Sequence, residues 1–239
     1  MHCDLNYGRG VLPVELGEEL DVHVLRKPAM PILHDPHDAV CEAFAKPINS
    51  APLTELARHV RSAAIAICDI TRPVPNRLFL RPLIETLTGA GVPLKRIIVL
   101  IATGLHRPNL GAELEELIGD RWVLQNVQIE NHYARNDNEH VLLGSTKSRG
   151  TVVRIDKRFV ETDLKIVAGL VEPHFMAGYS GAERLLLQVL RTPKRLRRFI
   201  APVSWLIHLR RIAALKTIRY TRSSLRSCKC FKGLTPSTP

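Results

Sequence analysis

The spacing of hydrophobic and polar positions changes repeatedly along this chain, and each change predicts a different element. Up to about Leu33, short alternating stretches such as "LDVHVL" predict edge strands and hairpins. "PHDAVCEAFAKPI" and "APLTELARHVRSA" then carry apolar residues at helical intervals, with "KPINS" ending one helix and capping the next. From Ala63 the apolar run "AAIAICDI" is unbroken, as expected of a strand covered on both faces in a parallel sheet. A helical stretch, "FLRPLIETLTGAG", leads to a second such run, "RIIVLIA". Each run ends in a polar loop, "TRPVPNR" or "TGLHRP", and the order strand, loop, helix, strand, loop is a βαβ unit.

"LGAELEELIGDRW" predicts one further helix with its acidic face to solvent, and "VQIENHYARND" a third strand running into a loop. "TVVRIDKRFVETDLKIVAGLVEPH" predicts a strand, a turn and one more buried strand, "LKIVAGLV". The expected fold class is therefore α/β, a mostly parallel sheet with flanking helices, followed by an irregular basic tail.

Charge divides the chain in the same place. The formal net charge of +11 suggests a polyanionic partner, but residues 185 to 239 hold 13 of the 34 lysines and arginines and none of the 23 acidic residues. Residues 1 to 184 are close to neutral, and any argument from the excess positive charge concerns the tail alone. The five cysteines are odd in number and irregularly spaced, which argues against a disulfide framework and for a reducing compartment. There is no basic leader with an apolar core at the N-terminus, and no apolar run approaches the roughly 18 residues of a membrane span. The expectation is a cytoplasmic protein with no membrane partner.

In a parallel α/β fold the ligand lies at the carboxyl ends of the strands. The polar residues that follow the expected strands are Asp69, Thr71 and Arg72; Thr103, His106 and Arg107; His132; and Glu172 and His174. Arg72 suits bidentate binding of a carboxylate or phosphate, with Asp69 holding a hydroxyl or orienting the arginine. His106 and His174 suit acid and base work near neutral pH. Each also has a plain reading: "DITRP" as an Asp/Thr turn before Pro73, and the histidines as satisfied loop residues. Their coincidence at strand ends favours function. His34 with His37, and His132 with His140, lack the second pair or the helical spacing of a zinc site, so no side chain is assigned to metal. No GxxxxGK[ST] or GxGxxG fingerprint occurs, and Cys68 sits in an apolar strand as a core residue.

"DITRPVP", "ATGLHRP", "NHYARND" and "GLVEPHFMAGYSG", in that order, resemble the nickel-dependent lactate racemase family over roughly residues 5 to 182. The resemblance implies an N-terminal domain that handles a small 2-hydroxy acid with a nickel pincer nucleotide, a pyridinium mononucleotide that takes and returns a hydride. It further implies His106 and His174 as alternating acid and base, and Arg72 as the substrate carboxylate's partner. Asp69 and Thr71 would lie nearest the cofactor's ribose or phosphate, while Gly178, Ser180 and Gly181 let the backbone approach it.

The resemblance breaks at "SGAER", where the family's turn reads "SGG" followed within two residues by the lysine that anchors the cofactor; Arg184 stands in that lysine's place. A permanently protonated guanidinium is a poor nucleophile and does not replace such a linkage. The expected division is residues 1 to 184 as the racemase-like domain and 185 to 239 as a tail. Three readings of the tail stand side by side: a basic amphipathic segment for nucleic acid, an acidic partner or anionic lipid, a disordered end, or an out-of-frame product. The abrupt loss of both pattern and acids favours the last, and with it a chain that is incomplete as an enzyme.

Overall fold

The structure, a computed structural model, describes residues 1–25, 29, 31–145 and 152–171, with 173–174 and 178–179, the last two pairs and Ser145 through their backbone alone. The chain divides into two compact units, Met1–His34 and the remainder from Asp35.

In the first unit, β1 (His2–Tyr7) and β2 (Gly10–Glu15) form an antiparallel hairpin in which Tyr7 faces Gly10. Gly8 takes φ +59° at the first of two turn positions, where a two-residue hairpin loop favours glycine. Leu16 and Met1 then close the hairpin's open end with paired backbone bonds of 2.7 and 2.8 Å. A hairpin does form near the N-terminus, but "LDVHVL" itself, residues 20–25, takes up neither strand nor helix, so the alternation there does not mark a paired strand.

The second unit opens with α1 (Pro36–Ala45), where Pro36 occupies the first turn and the Asp35 side chain accepts from the Asp38 N–H at 3.0 Å. A short α2 (Leu53–Ala57) follows. The unbroken apolar runs become β3 (Ala63–Cys68) and β4 (Ile97–Ala102), separated by α3 (Asn76–Gly89). After α4 (Ala112–Ile118) and α5 (Arg121–Asn126) come β5 (Gln128–Asn131), β6 (His140–Ser145), β7 (Val152–Asp156), α6 (Lys157–Val160) and β8 (Leu164–Ala168). Two short strands, β9 (Pro173–His174) and β10 (Gly178–Tyr179), end the described chain.

The central sheet has the order β5-β4-β3-β8, and every pairing in it is parallel. Its inner strands are covered on both faces, which is why they carry no polar alternation. Ile65, Ile67, Val99 and Ile101 join Leu80, Leu83, Ile84 and Leu87 of α3, with Ile118 and Val123, in one cluster. On the opposite face Ala64, Ala66, Ile98 and Leu100 meet Ile155 and Phe159. Small alanines on that face leave the volume that the Phe159 ring fills.

Three further sequence expectations change. The single helix expected over "LGAELEELIGDRW" is two, because Gly119 ends α4 in the left-handed conformation (φ +65°) and Asp120 caps α5 by accepting from the Val123 N–H at 3.0 Å. "LKIVA" is half-buried rather than buried, as the outermost strand of the described sheet. The stretch after β5 is more than a loop: β6 and β7 pair antiparallel beside the parallel sheet, with a bulge between Leu142 and Gly144.

Gly119 allows a direct test. A Cβ there would lie 2.9 Å from the Arg77 Cβ, on a backbone that L side chains already disfavour. Gly119→Ala is expected to lower stability by about 1–3 kcal/mol, read from the urea midpoint. An unchanged midpoint would show that the α4–α5 junction relaxes freely.

Candidate active site at the carboxyl edge of the sheet

Parallel register brings the strand ends to one edge. Cys68 pairs with Ala102, Ile67 with Ala168 and Ile101 with Asn131, so the loops beginning at residues 69, 103, 132 and 169 leave the sheet side by side. This is the edge at which sheets of this kind bind ligands.

Asp69 is the first residue after β3 and is only 5 % exposed. A carboxylate withdrawn from water needs donors, and three reach it. The Thr71 N–H (3.1 Å) and hydroxyl (2.5 Å) donate to Oδ1, and the Nδ1–H of His106 donates to Oδ2 at 2.5 Å. His106 is brought there by a turn in which Gly104 adopts φ +60° and the His106 N–H bonds the Thr103 carbonyl at 2.9 Å. Its ring is mostly exposed, in contrast to the carboxylate behind it. Because the carboxylate only accepts, the neutral ring carries its proton on Nδ1 and leaves Nε2 as a base. An imidazole oriented by a buried carboxylate is the arrangement used for general acid and base catalysis.

The other anticipated residues fall into separate groups. Arg72 stands beside the pair and donates its backbone N–H to the Asp69 carbonyl at 3.1 Å. Arg107 forms a two-pronged pair with Glu113, both bonds 2.5 Å. The backbones of His174 and Gly178 face each other across the β9–β10 pair. The side chain of His174, and all of Glu172, Ser180, Gly181, Arg184 and the basic tail, lie outside the described residues. Near the start of α1, Asp35, His37 and Asp38 cluster at the surface, and Asp35 is already engaged as the helix cap. Among the described residues, no helix is long and apolar enough to cross a membrane.

His132 and His140, whose spacing in the sequence marks no site, are both buried and in contact. Their Nε2 atoms lie 2.9 Å apart, with the rings edge to face. His140 Nδ1 lies 2.8 Å from the Asn136 carbonyl, which can only accept, so His140 donates there and its Nε2 accepts from His132. His132 Nδ1 is then a bare lone pair, buried without a hydrogen-bond partner among the described residues. Beside them Arg158 donates to Asp156, Glu139 and the Asn131 carbonyl. Burial holds the His132 pKa well below the ordinary 6.5, at about 4, although the Asp156 carboxylate pulls the other way. An unfolded chain takes up this proton as pH falls through about 6.5, and the native one only near 4. Stability fully present above the upper value should therefore decline towards the lower by up to roughly 2–4 kcal/mol. Urea midpoints across that range, with His132→Phe as the flatter comparison, check this; an NMR titration midpoint near 6.5 for the His132 ring would contradict it.

Comparison with known proteins agrees with this architecture. A family model described as the lactate racemase N-terminal domain matches residues 7–189, running past the turn at which the motif resemblance stops. A lactate racemase of Thermoanaerobacterium thermosaccharolyticum is 33% identical over 188 residues, 78% of this chain and 43% of that protein. One from Lactiplantibacillus plantarum is 36% identical over 150 residues, 63% of this chain and 35% of its own. The structure of the Thermoanaerobacterium lactate racemase apoprotein superposes with a TM-score of 0.70 at 30% identity, covering 82% of this chain and 45% of that one. A crystal structure from Thermotoga maritima, at 17% identity and a TM-score of 0.59, shares the fold. The chain spans less than half the length of these relatives. On a match that takes in most of its residues, the chain belongs to the lactate racemase family, through that family's N-terminal domain.

Proposed function

We propose that this domain serves the racemisation of lactate or another small 2-hydroxy acid, with His106 and His174 as the alternating acid and base. The observation that carries the reading is the Asp69–His106 pair, an exposed imidazole fixed by a buried carboxylate at the ligand-binding edge of a parallel sheet. His106 Nε2 takes the hydroxyl proton of one enantiomer as the neighbouring C–H bond breaks, leaving a keto acid. His174 holds or returns the proton when hydrogen comes back to the opposite face. Arg72 binds the carboxylate of acid and keto acid alike, keeping the carbonyl between the two histidines.

A nickel pincer nucleotide, when bound, supplies the acceptor and donor for the hydride of that C–H bond. The described side of the site fits the sugar of such a group. The exposed Thr71 hydroxyl donates its proton to Asp69, so its oxygen presents a lone pair, suited to a ribose hydroxyl and unsuited to a phosphate, with Asp69 fixing it from behind. Gly178, Ser180 and Gly181 are proposed to lie along the remaining backbone of the nucleotide. With Arg184 where the family's turn carries its anchor, covalent attachment is not expected in this chain.

The test uses co-expression with the enzymes that make the cofactor. The chain itself should gain neither mass nor nickel; added cofactor mass would overturn the assignment of Arg184. Arg184→Lys, fused to the carboxy-terminal half of a lactate racemase, should gain the cofactor mass and interconvert the lactate enantiomers. In that fusion Asp69→Asn should lower kcat by roughly 10²–10⁴-fold. A fusion that carries cofactor and leaves lactate and other 2-hydroxy acids unchanged would sink the functional reading.

A further inference from the structure

The Asp69–His106 pair spans two loops, one after β3 and one after β4, each with turn bonds of its own. What joins the backbone of the first to the second is Asn109, a residue 1 % exposed that none of the sequence motifs singled out. All four of its polar groups are engaged. Its side-chain oxygen accepts from the Ile70 N–H at 3.2 Å, and its side-chain amide donates to Glu113 at 3.3 Å. Its backbone N–H donates to the Asn131 side-chain oxygen at 2.9 Å, and its carbonyl accepts from the Asn131 amide at 3.0 Å. Asn131 is itself buried at the end of β5, where its carbonyl accepts from Arg158 at 3.2 Å. Three strand-end loops are thus joined through two asparagines.

The partners dictate the orientation of both amides. Reversing Asn109 would aim its NH₂ at the Ile70 N–H, donor against donor, and reversing Asn131 would oppose like groups twice. The bond to Ile70 matters most, because that N–H belongs to the same peptide plane as the Asp69 carbonyl; the Arg72 N–H on that carbonyl comes from the same loop, so it is Asn109 that ties the plane to the neighbouring loop. Fixing this plane fixes the direction in which the Asp69 side chain leaves the backbone, and with it the carboxylate that orients His106. Catalytic groups must be held to within about half an ångström, which loops alone do not ensure.

We propose that Asn109 is a positioning residue for the acid/base pair: bracketed by Asn131, it locks the Asp69 peptide so that the carboxylate keeps His106 in its Nδ1–H form. This rests on the reading of His106 as a catalytic acid and base. It goes further in assigning the precision of that pair to a residue that touches neither substrate nor cofactor.

The Asn131 bracket binds only backbone atoms of residue 109, so Asn109→Ala keeps it and removes just the bonds to Ile70 and Glu113. In the full-length chain, labelled with ¹⁵N, two signals report the effect: hydrogen exchange of the Ile70 amide and the imidazole nitrogen shifts of His106, which distinguish the two tautomers. Asn109→Ala should speed Ile70 exchange about tenfold, the factor expected for one lost hydrogen bond, and move the His106 shifts towards a mixture of tautomers. Amides of Ile65 and Val99 in the sheet should keep their protection. Asn109→Asp combined with Glu113→Gln restores the acceptor for Ile70 and exchanges donor and acceptor across the second contact, at the loss of one prong of the exposed Arg107 pair, and it should recover both signals. Unchanged His106 shifts in Asn109→Ala would overturn the proposal. So would a double variant with a protected sheet and no recovery, or a wild-type His106 without a fixed tautomer. None of these signals measures turnover, so a fusion that fails to racemise while they behave as expected counts against the function and leaves the positioning role standing.

Discussion

A carboxylate shut away from water at the end of a buried strand organises this site. Asp69 follows directly on "AAIAIC", an inner strand buried at its first five positions, and its own side chain is buried as well. Left without donors it would cost several kcal/mol. The donors it recruits decide the local structure: Thr71 folds back from its own loop, and His106 is drawn across from the next one. Burial of the acceptor and exposure of the imidazole together give a group that is oriented from behind and open in front. The same carboxylate could not serve an unpaired role, since its oxygens already receive donors.

Behind the edge, a second buried set of polar groups behaves in the opposite manner. His132 and His140 lie close enough for one hydrogen bond, and each neutral ring passes a donor towards the Asn136 carbonyl. That leaves no acceptor for an additional proton on His132, which is the structural counterpart of its depressed pKa. Arg158 supplies the formal charge in this region and shares it among Asp156, Glu139 and Glu130. One histidine of the edge is therefore exposed and oriented by a carboxylate, and another is buried and kept from protons. The difference comes from exposure and partners, not from residue type.

Much of this was legible in the chain. Two continuous apolar runs, each ending in a polar loop, can be little other than inner strands of a parallel sheet, and parallel strands must deliver their end loops to one edge. From that alone Asp69, Thr71, Arg72, Thr103, His106 and His132 are expected as neighbours. The motifs within those loops carry the family resemblance. Less legible were elements whose character depends on what covers them. "LKIVA" reads like the inner strands and is half-buried only because it stands last in the described sheet. The antiparallel β6–β7 pair stands outside the parallel sheet, and its "HVLLGS" strand shows no alternation to announce it.

By itself, then, the sequence determined the α/β class, the strand order in time along the chain, and the set of residues gathered at the carboxyl edge, because periodicity and chain direction are local properties. It could not decide partners. That Asp69 serves His106, that Arg107 is engaged by Glu113, and that His132 turns to His140 follow from distances between loops far apart in sequence. Asn109 shows the difference most clearly. As a letter after "HRP" it resembles any turn asparagine, and only the meeting of three loops gives each of its four polar groups a partner. Hydrogen bonding is directional and short-ranged, so its assignments exist only once the tertiary structure has brought the donors and acceptors together.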